Sequence, residues 1–204
     1  MNVRKQYMKQ FKLSIIFILG FMHLPLLADS IEFPKEESCV AYRTSKRLFL
    51  VQEQTVVGLN CKIQTKIEKS TEGFSFEGTF PISGFDSKEP SRDEHVRELL
   101  EEKDQSSLVF VSDPISQIDW NKKKGTSFEL SGKLRKGNKD FKLNFRIKRE
   151  IFQGKAVWTG SVKTKFTNLG MEPPSVALGA VAKVRDDLEL LFHFQESQIK
   201  GFPN

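Results

Sequence analysis

The chain has 204 residues, 32 Lys and Arg against 26 Asp and Glu, two Cys and eighteen Phe, a length that suits one domain with short tails. Two cysteines are too few for a disulfide scaffold or a four-thiolate zinc site, and the abundance of aliphatic and Phe residues excludes a disordered chain. The net charge of +6 points first to nucleic acid or an anionic surface, yet residues 1–28 hold Arg4, Lys5, Lys9 and Lys12 and no acid, leaving 28 bases against 26 acids downstream.

Those first residues read as a secretory signal, residues 1–28: a basic start, a short apolar run from Leu13 to Met22, and Ala28 as the small residue before a cut. The run is broken by Gly20, His23 and Pro25 and falls short of the roughly 20 residues that span a bilayer. After signal removal no transmembrane segment is expected, and the mature protein is expected to be exported and soluble. Residues 29–37 form a lead-in, and residues 38–200 the folded domain.

From there the pattern has period two, as in strands whose side chains point alternately to opposite faces. Val57, Leu59, Cys61, Ile63 and Ile67 are apolar at alternate positions, as are Phe74, Phe76, Phe80 and Ile82. The same holds for Phe128, Leu130 and Leu134, for Phe141, Leu143, Phe145 and Ile147, for Ala156, Trp158 and Val162, and for Leu188, Leu190, Phe192 and Phe194. Turn residues separate them at Glu72-Gly73, Gly137-Asn138 and Gln153-Gly154. The expectation is an all-β fold of about eight antiparallel strands, a barrel or sandwich. One short helix near 91–103 interrupts it, with Val96, Leu99 and Leu100 at helical spacing and Ser91 and Glu94 as a capping box.

Chemistry is sparse. Past the signal there are two histidines. His193 falls between Phe192 and Phe194, on the wet face of its strand, and reads as a surface residue. His95, among Arg92, Asp93, Glu94 and Arg97, is either part of a charged, capped helix start or a general base oriented by a carboxylate. No phosphate loop, Cys-x-x-Cys or His-Glu-x-x-His occurs, so neither an enzyme nor a metal site is expected. Cys39 and Cys61 either pair, stapling the first strands, or are buried separately as small hydrophobes. Lys122 to Lys124 precede Gly125 and read as a solvated turn. With a nearly neutral body, no nucleic-acid partner is expected. A membrane barrel would carry Tyr and Trp girdles; two of each are present, so the apolar face is expected to point inward.

Particular residues then resemble the YceI-like family. Arg92-Asp93-Glu94-His95-Val96-Arg97, after a strand and Ile82-Ser83-Gly84, is similar to that family's Arg-Asp-x-His-Leu-Arg helix, and Ser107 to Ser112 to the strand following it. Ser131-Gly132-Lys133-Leu134, Lys165 to Met171 and Val181 to Phe194 resemble later family segments. The opening Asp-x-x-His-Ser of the family reads Arg43-Thr44-Ser45 here, which marks a divergent member. The resemblance implies a lipocalin-like eight-stranded barrel in the periplasm. Its ligand would be a long-chain amphiphile, an isoprenoid lipid or isoprenoid quinone, taken up with transient membrane contact and no required cofactor. The pocket would be lined by Phe74, Phe76, Phe80, Phe128, Leu130, Phe141, Leu143, Phe145 and Trp158. The same residues could instead close-pack in a filled barrel, a structural or interaction module that binds no ligand.

Overall fold

The computed structural model describes residues 31–48, 52–123, 125–176 and 182–203. The expected signal segment lies outside them. Ten strands occur among the described residues: β1 (Cys39–Leu48), β2 (Gln52–Asn60), β3 (Gln64–Lys69), β4 (Phe74–Pro81), β5 (Ser107–Ser112), β6 (Phe128–Lys136), β7 (Lys139–Phe152), β8 (Lys155–Lys165), the two-residue β9 (Ser175–Val176) and β10 (Ala182–Gln195). Two helices interrupt them, α1 (Pro90–Leu99) and α2 (Gln117–Lys123). All strand pairings are antiparallel, in the order β2-β1-β10-β8-β7-β6-β5-β4-β3, with β9 beside β10.

The sheet curls on itself. Phe76 of β4 stacks on Phe194 of β10 at 5.4 Å between ring centroids, although four strands lie between them in the hydrogen-bonded order. The result is an all-β, lipocalin-like barrel with one apolar interior. Its two edge strands are covered locally. On β2, Leu59 and Asp86 exchange both backbone hydrogen bonds, at 2.9 and 2.8 Å, and on β3 the Ile67 N–H donates to the Lys200 carbonyl at 2.7 Å. Satisfying edge N–H and C=O groups in this way removes a template for strand addition.

Alternation explains why most strands sit as they do. Leu143, Phe145 and Ile147 of β7 are buried while Lys142, Asn144 and Arg146 between them are exposed. Two inward positions are glycine because rings lie on them. A Cβ on Gly132 would stand 2.5 Å from Phe110, and one on Gly160 at the same distance from Phe192.

Four sequence expectations change. The segment from Val57 to Ile67 is not one strand: β2 ends at Asn60 and β3 begins at Gln64. On β2 the buried set is Val56, Gly58 and Asn60, the opposite phase. Tyr42 of β1 lies over Gly58, and Asn60 is satisfied by donating to the Pro81 carbonyl and accepting from the Lys62 N–H. The helix spans Pro90–Leu99, with Glu89 at its N-cap and no side-chain capping bond. Ser91 sits inside it because Pro90 takes the first helical position, where a missing N–H costs nothing. The Lys122 to Lys124 turn is, as far as Lys123, the last turn of α2. Ser116 caps that helix, accepting from the Asp119 N–H at 3.1 Å and donating to its carboxylate at 2.9 Å.

His193 is the fourth. It faces away from the interior, as alternation requires, yet only 6 % of it is exposed. Phe33 stacks on its ring at 5.6 Å and Phe152 meets it edge-on at 5.9 Å. The lead-in is held there by Gln195, whose side chain donates to the Lys35 carbonyl, and by Gln198, which accepts from the Ser38 N–H. Cys39 and Cys61 form a disulfide, with a 4.1 Å Cα separation.

Candidate functional site

The interior is not filled. A cavity of about 370 Å³ runs through the barrel, toward the lower end of the ~300–1,000 Å³ typical of ligand pockets. Its wall is built from the inward residues of the strands. Phe74, Phe76 and Phe80 reach it from β4, Leu130 from β6, Phe141, Leu143 and Phe145 from β7, and Trp158 from β8. Phe128 does not: it packs edge-on against Trp158 at 6.3 Å, beneath Lys123. The remaining β10 face, Leu188, Leu190, Phe192 and Phe194, also lines the cavity.

One end is sealed by aromatic rings. Trp120, from α2, stacks on Trp158 at 5.4 Å, and Phe202 meets Trp120 at 5.6 Å. The Trp158 indole N–H finds its partner in Glu196 at 3.0 Å, which leaves its apolar body for the cavity. Sequence reading passes over Trp120 because no alternation surrounds it. The Ser116-x-x-Asp119 capping pattern just before it is the signal that marks its helix.

The other end is polar. There β1 runs out to Leu48 beside Ala182, β6 turns into β7 at Lys136 and Lys139, and β8 reaches Lys165 opposite Asp187. Helix α1 is tied to this end by Glu101, just beyond its last turn, which pairs with Lys136 at 2.7 Å. Lys136 is only 5 % exposed and itself lines the cavity. Its hydrogen bond holds the Glu101 carboxyl below the ordinary carboxylate range. Arg92, His95, Val96 and Leu99 of α1 line the cavity, the spacing of one helix face.

Asp93 and His95 are not brought together as an acid–base pair. Asp93 accepts the backbone N–H of Ser87 at 2.9 Å and its hydroxyl at 2.6 Å, so its carboxylate orders the turn before the helix. His95 is exposed at the cavity rim. Among the described residues, the one cluster with metal-ligating side chains is Glu37, Cys39 and Cys61, and its thiols are consumed in the disulfide. No described helix is long and apolar enough to cross a membrane.

No protein-family model and no curated protein matches the chain. Solved structures do. BcnA of Burkholderia cenocepacia superposes with a TM-score of 0.56 at 15% identity, over 76% of this chain and 94% of that one. A polyisoprenoid-binding domain from Saccharophagus degradans, implicated in plant cell wall breakdown, gives 0.56 at 11% identity over 78% and 97%. The YceI protein of Campylobacter jejuni gives 0.51 at 16% identity over 92% and 97%. The chain therefore has the YceI-like barrel fold, with a sequence far from these three.

Proposed function

We propose that this protein is an exported, periplasmic carrier that holds one long-chain amphiphile, an isoprenoid lipid or a molecule of similar shape, in its barrel. The observation that carries the reading is the aromatic and aliphatic cavity of about 370 Å³ between inward strand faces. Such walls bind an alkenyl chain without directional groups, at about 25 cal/mol for each Å² of apolar surface removed from water. The polyisoprenoid-binding name of one protein sharing the fold supports the same class of ligand. Binding, not catalysis, is the role these residues favour, since Asp93 is committed to Ser87 and not to His95.

Protein purified from an envelope extract and opened with organic solvent is expected to release a single-chain lipid detectable by mass spectrometry. Its N-terminus is expected at Asp29. Emptied protein is expected to take up a neutral naphthylamine dye with a rise in fluorescence. Finding neither lipid nor dye uptake overturns the carrier reading.

A further inference from the structure

Nearly every buried polar side chain of the cavity wall has a partner. Ser112 accepts the Phe76 N–H at 2.9 Å, and Thr44 donates to the Asp187 carbonyl at 2.7 Å. The Tyr42 hydroxyl is the exception: it is buried and meets no hydrogen-bond partner among the described residues. The Ser87 side chain is near enough to favour the ionised phenol slightly, but no bond of ordinary hydrogen-bond geometry joins the two, and the Ser87 hydroxyl donates to Asp93. Burial pushes the phenol up to about 12, against a smaller opposing pull from Arg92, so at neutral pH Tyr42 is a protonated donor with nothing to bond. A buried group in that state is disfavoured until an acceptor reaches it.

Asp93 also acts on the phenol, but its carboxylate is taken up by Ser87, and among the groups that line the cavity the charges lean positive. Arg92 makes a 3.3 Å bond to the Ser87 carbonyl and stands 4.0 Å from Glu89, a loose pair. Lys46, on the same inward face of β1 as Tyr42, makes no ion pair among the described residues and lines the cavity. Lys136 is already matched by Glu101, and Glu89 is the one acid among the described lining residues. Two cations and an unpaired hydroxyl therefore face a cavity whose remaining wall is mostly apolar and whose far end is closed by Trp120.

We infer that the α1 end of the cavity receives the anionic oxygen head, carboxylate or phosphate, of a single-chain amphiphile. Arg92 and Lys46 balance its charge, the Tyr42 hydroxyl donates to one of its oxygens, and the chain extends toward Trp120. This inference rests on the carrier reading and adds the chemistry of the head to it.

The test uses three ligands with one sixteen-carbon chain: palmitate, hexadecyl phosphate and hexadecanol. Each displaces the neutral dye from the full-length exported protein at slightly alkaline pH, where both acidic heads are ionised. The two acids are expected to bind about tenfold more tightly than the alcohol, as charge-assisted bonds require. Arg92→Gln and Lys46→Gln are expected to shrink that ratio, weakening the two acids more than hexadecanol. Tyr42→Phe is expected to weaken the acids about fivefold. A stronger hold on hexadecyl phosphate assigns a phosphorylated head, and on palmitate a fatty acid. Equal affinities of acids and alcohol for the parent, or a ratio that survives in the Arg92→Gln, Lys46→Gln double variant, overturn the inference while leaving the carrier reading intact. Failure of the dye and all three ligands to bind overturns both.

Discussion

The two ends of this barrel are closed by opposite means. At one, α2 lays Trp120 on Trp158 and Phe202, so burial of ring surface does the sealing, and the Trp158 indole N–H donates to Glu196. At the other, α1 has no buried residue and brings Arg92 and His95 to a cavity that Tyr42, Lys46 and Lys136 also line, with Arg92 close enough to the Tyr42 phenol to act on it. Stacked rings make a wall that needs nothing further, whereas cations and an unpaired hydroxyl over an apolar cavity are an arrangement that a ligand completes. The contrast gives the cavity a direction.

Breaking the sealed end has the largest effect. Trp120→Ala is expected to cost about 3–5 kcal/mol, the range for emptying a buried aromatic site, seen as a fall of roughly 10 °C in Tm for a domain of this size. The ratio of acid to alcohol binding should survive it, because the head contacts lie at the far end and distant sites act independently. A changed ratio would show that the ends are not separate. At the α1 end, Glu101→Gln leaves the Lys136 ammonium buried without its carboxylate, and a loss of a few degrees in Tm is expected. Lys136→Met removes the buried charge together with its need for a partner and should be nearly neutral. Equal losses in the two variants would show that the pair, not the stranded ammonium, is what matters. The Glu101 contribution has a pH sign: its folded pKa lies below the unfolded one. It is present above the unfolded value and disappears as pH falls through the folded value.

The side wall contributed by the strands was the part most readable from sequence, whereas Trp120 of the seal was not. Strict alternation in β4, β6, β7, β8 and β10 places Phe74, Leu130, Phe145, Trp158 and Phe192 inward, because a strand's period of two leaves no other face for them. The polar end was read poorly, for physical reasons. On β2, Gly58 looks like an outward residue until Tyr42 is seen lying across it, a packing decided by the neighbouring strand. Pro90 moved the helix start ahead of Ser91, and the commitment of Asp93 to Ser87 depends on a turn that no periodicity announces. Whether the wall enclosed space or filled it depended on the curl of the sheet, which alternation does not specify. Phe128 shows the limit of the pattern: it obeys alternation, but Trp158 and not the cavity takes up its ring.

A smaller effect sharpens the contrast between the two faces of β10. Phe192 and Phe194 are buried inward by the barrel itself, while His193 is buried outward only because Phe33 of the lead-in and Phe152 of the β7–β8 turn cover it. Its ring faces those two rings, the Gln195 amide at 3.4 Å and the Glu150 carboxylate. Desolvation holds its pKa below the ordinary histidine value, and Glu150 opposes that only in part. The folded protein therefore binds this proton less readily than the unfolded chain, whose histidines titrate near ~6.5. Stability from this site is complete above that pH and falls as pH drops toward the lower folded value. Thermal unfolding followed across this window should show a steeper acid-side loss in the parent than in His193→Gln, which keeps a polar side chain and cannot take up the proton. Identical slopes would mean that the lead-in tolerates an imidazolium beneath Phe33, and that the outer face of β10 is held by the Gln195 and Gln198 hydrogen bonds alone.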